Sequence, residues 1–225
     1  MYNYPLTLTF PLFSLTPQFQ ATDASGKALF SAAKKLISSK EEINLTSSGR
    51  VYFRIVSQES RITDIPSNWD VMDGTGKALG VVDDDFVSVI DTSGFIQNPA
   101  VRMLTEIELS RAFNVKDLKM YWIKSPAGDK VGLIAPDKTS LYAQQLPLYD
   151  IVRKLPIFFR FITPRYYIRF GEQTVMILEK KRTLLQDTYQ LNLQGPFANE
   201  AEPLVINSVV LAILYERDQL KALYG

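Results

Sequence analysis

The chain has 225 residues, a net charge of +1, 46% hydrophobic and 22% charged residues, the balance of a globular protein able to bury a sizeable core. It contains neither cysteine nor histidine, which excludes disulfides, thiolate nucleophiles, zinc–sulfur and imidazole-ligated metal sites, and Ser-His-Asp or Cys-His catalysis. With so little net charge, attraction to nucleic acid or membrane has to come from a local patch.

The opening MYNYPLTLTFPLFSL lacks a basic leader and a small-residue cleavage site, and Pro5 and Pro11 interrupt it. It reads as a first strand, not a signal peptide. Phe19 to Thr22 and Leu29 to Ala33 follow as short strands around the turn Asp23-Ala24-Ser25-Gly26. There the aspartate bonds its own following backbone and the glycine supplies a positive φ. Ile43 to Thr46 and Val51 to Val56 form another pair around Ser47-Ser48-Gly49.

The first hairpin recurs. Asp23-x-Ser25-Gly26-Lys27-Ala28-Leu29 is matched by Asp73-x-Thr75-Gly76-Lys77-Ala78-Leu79, with weaker copies at Ile90 to Phe95 and at Trp122 to Leu133, the latter turning at Pro126-Ala127-Gly128-Asp129. A longer-range repeat joins the two ends of the chain. Lys34-Lys35, then Glu41, Ile43 and Leu45, are echoed at identical offsets by Lys180-Lys181, then Asp187, Tyr189 and Leu191. Short strands with regular turn signals argue for an antiparallel barrel or sandwich.

In the middle, Asn98-Pro99 suits the start of a helix running to about Asn114, and the aromatic, proline-rich stretch from Pro147 to Pro164 suits edge or loop structure. Tyr166 to Phe170 and Thr174 to Glu179 make a hairpin about Gly171-Glu172, and Thr188 to Leu193 is one more strand. Gly195-Pro196 then breaks the pattern ahead of a helix from Pro203 to Leu220. From Leu204 to Tyr215 that helix is apolar all round except for Asn207 and Ser208. Such a helix must be surrounded, and it is too short to cross a bilayer. The rest of the chain is expected to wrap it, with Asn207 and Ser208 bonded to barrel backbone or ordered water. No Gly/Ser-rich linker divides residues 1–225, which read as one domain.

Chemistry-bearing residues are few. Arg153, Lys154, Arg160, Arg165, Arg169, Lys180, Lys181 and Arg182 crowd one stretch, opposed only by Glu172 and Glu179. Alternate strand residues share a face, so Arg165 and Arg169 point the same way and offer charge-assisted bonds to an anionic lipid or phosphate. A solvated strand exterior with charges guarding its edges is the plainer reading. Phe158, Phe159, Phe161, Tyr166 and Tyr167 suit either a membrane-interface belt or the barrel core. Ser25-Gly26-Lys27 and Thr75-Gly76-Lys77 fail as phosphate loops, because Ala21 and Val71 stand where the first glycine belongs and Ala28 and Ala78 where a hydroxyl residue belongs. Asp83-Asp84-Asp85 suits a hard cation or, more simply, an exposed acidic loop. Glu106 and Glu108 suit paired acid–base carboxylates or a polar surface.

The block PLFSLTPQFQATDASGKALFSAAKKLISSKEEINLTSSGRVYFRI, the strands VMILEKKRTLLQDTYQLNL and the terminal PLVINSVVLAILYERDQ together resemble the LURP-one-related proteins, which belong with the phospholipid scramblases and the tubby C-terminal domains. The resemblance covers most of the chain; residues 83 to 115 fit it poorly and read as an insertion. It implies a mainly β fold, a closed antiparallel barrel of about twelve strands threaded by a hydrophobic C-terminal helix. It also implies a non-enzymatic, cytoplasmic or peripheral-membrane protein with no cofactor, catalytic residue or metal. Tubby domains bind phosphoinositide head groups through basic residues on neighbouring strands. By position, Lys34 and Lys35 fall near the place where tubby carries its lysine and arginine; with Arg165, Arg169, Lys180, Lys181 and Arg182 from the basic cluster they are the residues expected to meet anionic lipid, with no nucleic-acid partner. The Ser-Asn step that follows tubby's basic pair is absent here, and nothing matches the aspartate-rich calcium segment of scramblases. The alternatives are a protein-interaction or scaffold module and a carboxylate-dependent enzyme.

Overall fold

A computed structural model describes residues 2–11, 18–34, 40–59, 68–87, 118–136, 165–181, 186–196 and 198–224. The predicted helix over 98–114, the aromatic stretch 147–164, the turn copy at 90–95 and Glu106 and Glu108 lie outside them.

Among the described residues the strands are β1 (Leu6–Pro11), β2 (Gln18–Thr22), β3 (Ala28–Lys34), β4 (Glu42–Ser47), β5 (Arg50–Ser57), β6 (Asn68–Asp73), β7 (Ala78–Val87), β8 (Leu118–Lys124), β9 (Lys130–Pro136), β10 (Arg165–Phe170), β11 (Gln173–Lys181) and β12 (Gln186–Leu193), and a helix, α1, runs Glu202–Tyr224. Each strand pairs antiparallel with its sequence neighbours, and β12 closes on β1 with Leu8 opposite Tyr189. The result is an up-and-down barrel of twelve strands with no free edge.

Closure follows from local chemistry. Along β1, Leu6, Leu8 and Phe10 are buried while Thr7 and Thr9 are not, the period-two pattern of a sheet with one wet face. Five hairpins, β2–β3, β4–β5, β6–β7, β8–β9 and β10–β11, each slip register by one near the turn, passing over Leu29, Tyr52, Leu79, Val131 and Val175. An extra residue of this kind bends a strand and sharpens its twist, which a sheet needs to close on itself.

The two rims differ. At one, the hairpin rim, the connections are tight turns. Asp23 Oδ1 accepts from Ser25 N (2.9 Å), Ser25 Oγ (2.6 Å) and Lys27 N (3.0 Å). Asp73 repeats this with Thr75 N (2.8 Å), Thr75 Oγ1 (2.6 Å) and Lys77 N (3.0 Å). In the third copy Ser125 holds the aspartate's place, its Oγ accepting from Asp129 N. Gly26, Gly76 and Gly128 all take the positive φ these turns require. The opposite ends of the strands, such as Pro11, Gln18, Lys34, Glu42, Ser57, Asn68, Arg165, Lys181 and Gln186, make the far rim.

Helix α1 fills the barrel. Leu204, Val205, Ile206, Val209, Val210, Leu211, Ala212, Ile213 and Leu214 are all buried in one core with the inward strand residues. Pro203 occupies its first turn, where a missing N–H costs nothing. The helix lies against β5–β9. A side chain on Gly80 of β7 would collide with the Lys124 carbonyl and with Leu204 at 2.8 Å, so the glycine is what lets the helix approach there. Farther along, Tyr215 packs edge-on to Trp69, ring centroids 5.3 Å apart. The helix therefore enters at the hairpin rim and runs toward the far rim. Across the barrel from β5–β9 the space is taken by Phe10, Phe19, Phe30 and Tyr189, packed ring against ring.

Where the sequence suggests barrel backbone or ordered water as partners for Asn207 and Ser208, the Asn207 amide nitrogen and the Ser208 hydroxyl bond their own helix. Asn207 Nδ2 donates to Pro203 O (2.6 Å) and Ser208 Oγ to Leu204 O (2.7 Å). Short polar side chains can reach back to their own helix one turn earlier, while the buried Oδ1 of Asn207 has no partner among the described residues.

Candidate functional site

The antiparallel order gathers most of the expected anion-binding residues at the far rim. Lys34 ends β3, Lys180 and Lys181 end β11, and Arg165 begins β10. Arg169 sits at the other end of β10, beside the turn at the hairpin rim. Lys35, Arg182, Arg153, Lys154 and Arg160 lie outside the described residues.

Lys180 and Lys181 read in sequence as one basic cluster, but consecutive strand residues face opposite sides, and the structure separates them. Lys180 turns into the barrel and is only 8% exposed. Its Nζ lies 3.1 Å from Asp187 Oδ1 and above the Tyr189 ring, 5.6 Å from the centroid. A lysine that deep needs partners, and a carboxylate and an aromatic face supply them. Lys181 turns outward. Its Nζ meets Glu179 Oε2 at 3.2 Å, while Arg165 Nη2 meets Glu179 Oε1 at 2.6 Å. One carboxylate thus sits between two half-exposed cations. Arg169 shares the outer face of β10 with Arg165, and donates from Nη2 to Glu172 O at 2.9 Å. Around the β10–β11–β12 end of the far rim, Arg165, Lys180 and Lys181 stand against Glu179 and Asp187, so this part is only modestly positive.

Asp83, Asp84 and Asp85 belong to β7, not to an acidic loop, and face Trp122, Tyr121 and Met120 across the ladder to β8. Lys124 donates to Asp83 Oδ2. Among the described residues no group of three or more carboxylates is arranged to hold a metal ion. The glycine-lysine pieces are the hairpin turns already described. The hydroxyl of Ser25 and that of Thr75 hold the Asp23 and Asp73 carboxyls below the usual carboxylate range, with help from backbone N–H groups. Tyr166 lines the core, while Tyr167 lies on the outer face.

One feature has no counterpart among the expected residues. A groove of about 620 Å³ runs across the outside of β12, β1, β2, β3 and β4, lined by Thr9, Gln18, Gln20, Asn44, Thr46 and Gln186, with Ser31, Pro11, Phe19 and Ala32 completing it. These positions are scattered in sequence and carry no charge, so only the strand register assembles them.

At the hairpin rim, Tyr2 N and Tyr4 Oη both donate to Glu202 Oε1 at 3.0 Å, tying the N-terminal segment to the first turn of α1. Burial, and then the Glu202 charge, push the hydroxyl of Tyr4 far above its ordinary value and that of Tyr2 in the same direction.

Neither a protein-family model nor a curated protein matches this chain. No helix among the described residues is long and apolar enough to cross a membrane.

Proposed function

We propose that this barrel is a binding protein of the tubby, LURP-one-related and scramblase type, without catalytic activity, that meets the anionic head groups of a membrane surface with its far rim. The single observation behind this is the placement of Lys34, Lys181 and Arg165 at one rim by the antiparallel order. The closed barrel of twelve strands around a C-terminal helix also supports it, being the arrangement that the resemblance implies. With the interior taken up by the helix and the aromatic cluster, a ligand is met on the outside. Lys180 plays no direct part in this reading; it holds Asp187 and the end of the β11–β12 hairpin.

Flotation with vesicles of neutral phospholipid alone, and with added anionic phospholipid, tests it. Binding should require the anionic lipid, weaken with salt, and fall when Arg165, Lys181 and Arg182 become glutamine. Lys27→Gln with Lys77→Gln, at the opposite rim, should leave it unchanged. Absence of binding, or equal loss from both sets, rejects the proposal. The second reading, a protein-interaction module, rests on Val51 and Tyr52 of β5, which are 37% and 56% exposed. It gains ground if flotation fails with every vesicle.

A further inference from the structure

We propose that the groove on β12–β1–β2–β3–β4, which opens toward the far rim but has none of its cations in the lining, binds a short neutral oligosaccharide.

The groove is built from ladder rows. Thr9 stands opposite Gln20, Gln20 opposite Ser31, and Ser31 opposite Thr46, so four polar residues form one line across β1, β2, β3 and β4. Two residues farther along the strands, Gln18 is opposite Ala33, and Ala33 opposite Asn44. Gln186 faces Pro11 on the flank. Rows two residues apart lie roughly 6.6–6.8 Å from each other, and neighbouring strands about 4.8 Å apart. The result is a grid of amides and hydroxyls over an area that suits a small ligand, in a volume within the usual range of such sites.

The chemistry of the lining selects the ligand. Amides and hydroxyls both donate and accept, the two capacities a sugar hydroxyl also has. None of the lining residues is charged, so an anion or a cation finds no ion pair there. Part of the grid is held in place by the protein. Asn44 Nδ2 donates to Glu42 Oε1 at 3.0 Å, and the Ser31 and Thr46 hydroxyls share a 3.2 Å bond. Asn44 is fixed with its amide oxygen turned inward, away from the groove. Behind the groove, the stacked Phe10 and Phe19 rings stiffen the wall, 5.1 Å between centroids.

The test is titration of the whole chain with maltotriose, cellotriose, chitotriose and mannotriose, followed by the side-chain amide NMR signals of Gln18, Gln20 and Asn44. At least one trisaccharide should move these signals saturably, with a Kd of about 1 mM and no dependence on salt. Gln18→Ala with Gln20→Ala, both at exposed positions, should weaken binding about tenfold or more without changing the thermal midpoint. The proposal is overturned if no trisaccharide moves the signals, if their movement survives the double substitution, or if they respond instead to inositol hexakisphosphate in a salt-dependent way. The lipid reading is tested by other residues, since Arg165 and Lys181 are not part of the groove lining.

Discussion

Lys180 stands opposite Tyr189 in the β11–β12 ladder, in the same register that sets Lys34 opposite Ile43 between β3 and β4. Leu178 opposite Leu191 and Ala32 opposite Leu45 extend the match. The basic-pair repeat seen in sequence is thus a hairpin built twice with one register. In the second copy Asp187 answers Lys180 from across the hairpin.

That pair makes a direct prediction. Asp187→Asn removes a carboxylate from a lysine with almost no access to water, and should cost about 2–3 kcal/mol in urea unfolding. Lys180→Met combined with Asp187→Leu should recover most of the loss, because a well-packed apolar pair avoids the burial of charge. Equal and additive losses from the two sites would show that the two side chains act independently.

Gly80→Ala should be among the most damaging small substitutions. The added methyl meets backbone at Lys124 as well as the Leu204 side chain, and backbone cannot rotate away. A loss of about 1–3 kcal/mol is expected. Gly26→Ala, whose site is open but whose φ is +81°, should cost about 1 kcal/mol through backbone strain alone. Chemical denaturation of the two variants separates these causes.

The Tyr4–Glu202 tie should fail in alkali. Tyr4 loses its proton in the unfolded chain near 10.0 and only well above that in the folded one. Its contribution is therefore complete below pH 10 and declines as pH rises further. Tyr4→Phe should lower stability by about 1–2 kcal/mol at neutral pH, and the gap to the unaltered protein should close above pH 10. Unfolding curves across that range check the sign; a gap that widens in alkali would contradict it.

The repeated turns carry the opposite dependence. Asp23 and Asp73 have lowered folded values against an ordinary 3.8, so the stability they provide is present above that pH and is lost as pH falls through the lower folded value. Asp23→Ala with Asp73→Ala should melt earlier than the parent at pH 7, and the two melting curves should converge below about pH 3.8.

Much of this architecture was legible because its signals are local. The turn at Asp73 copies that at Asp23 residue for residue, and the apolar run from Leu204 to Tyr215 announces a surrounded helix. What escaped depended on partners distant in sequence. Nothing near Lys180 says that it faces inward; that follows from its register against Tyr189. Asp83 reads as loop until β8 supplies Lys124. Asn207 looks as if its amide needs an acceptor on the barrel, because a linear reading overlooks that the Pro203 carbonyl one turn back can accept a second hydrogen bond. The groove was hidden most completely, since Thr9, Gln20, Ser31 and Thr46 come from four strands and none is unusual alone.

The account depends on α1 being enclosed, and a chain without cysteine allows this to be tested with a single thiol. Val209, fully buried on the helix, is changed to cysteine, with Ser25→Cys in an exposed turn as the reference, and both are exposed to a maleimide before and after denaturation. The Val209→Cys thiol should stay unmodified in the native protein and label at the reference rate once unfolded. Labelling of the native protein as fast as Ser25→Cys would mean that the helix is not inside the barrel.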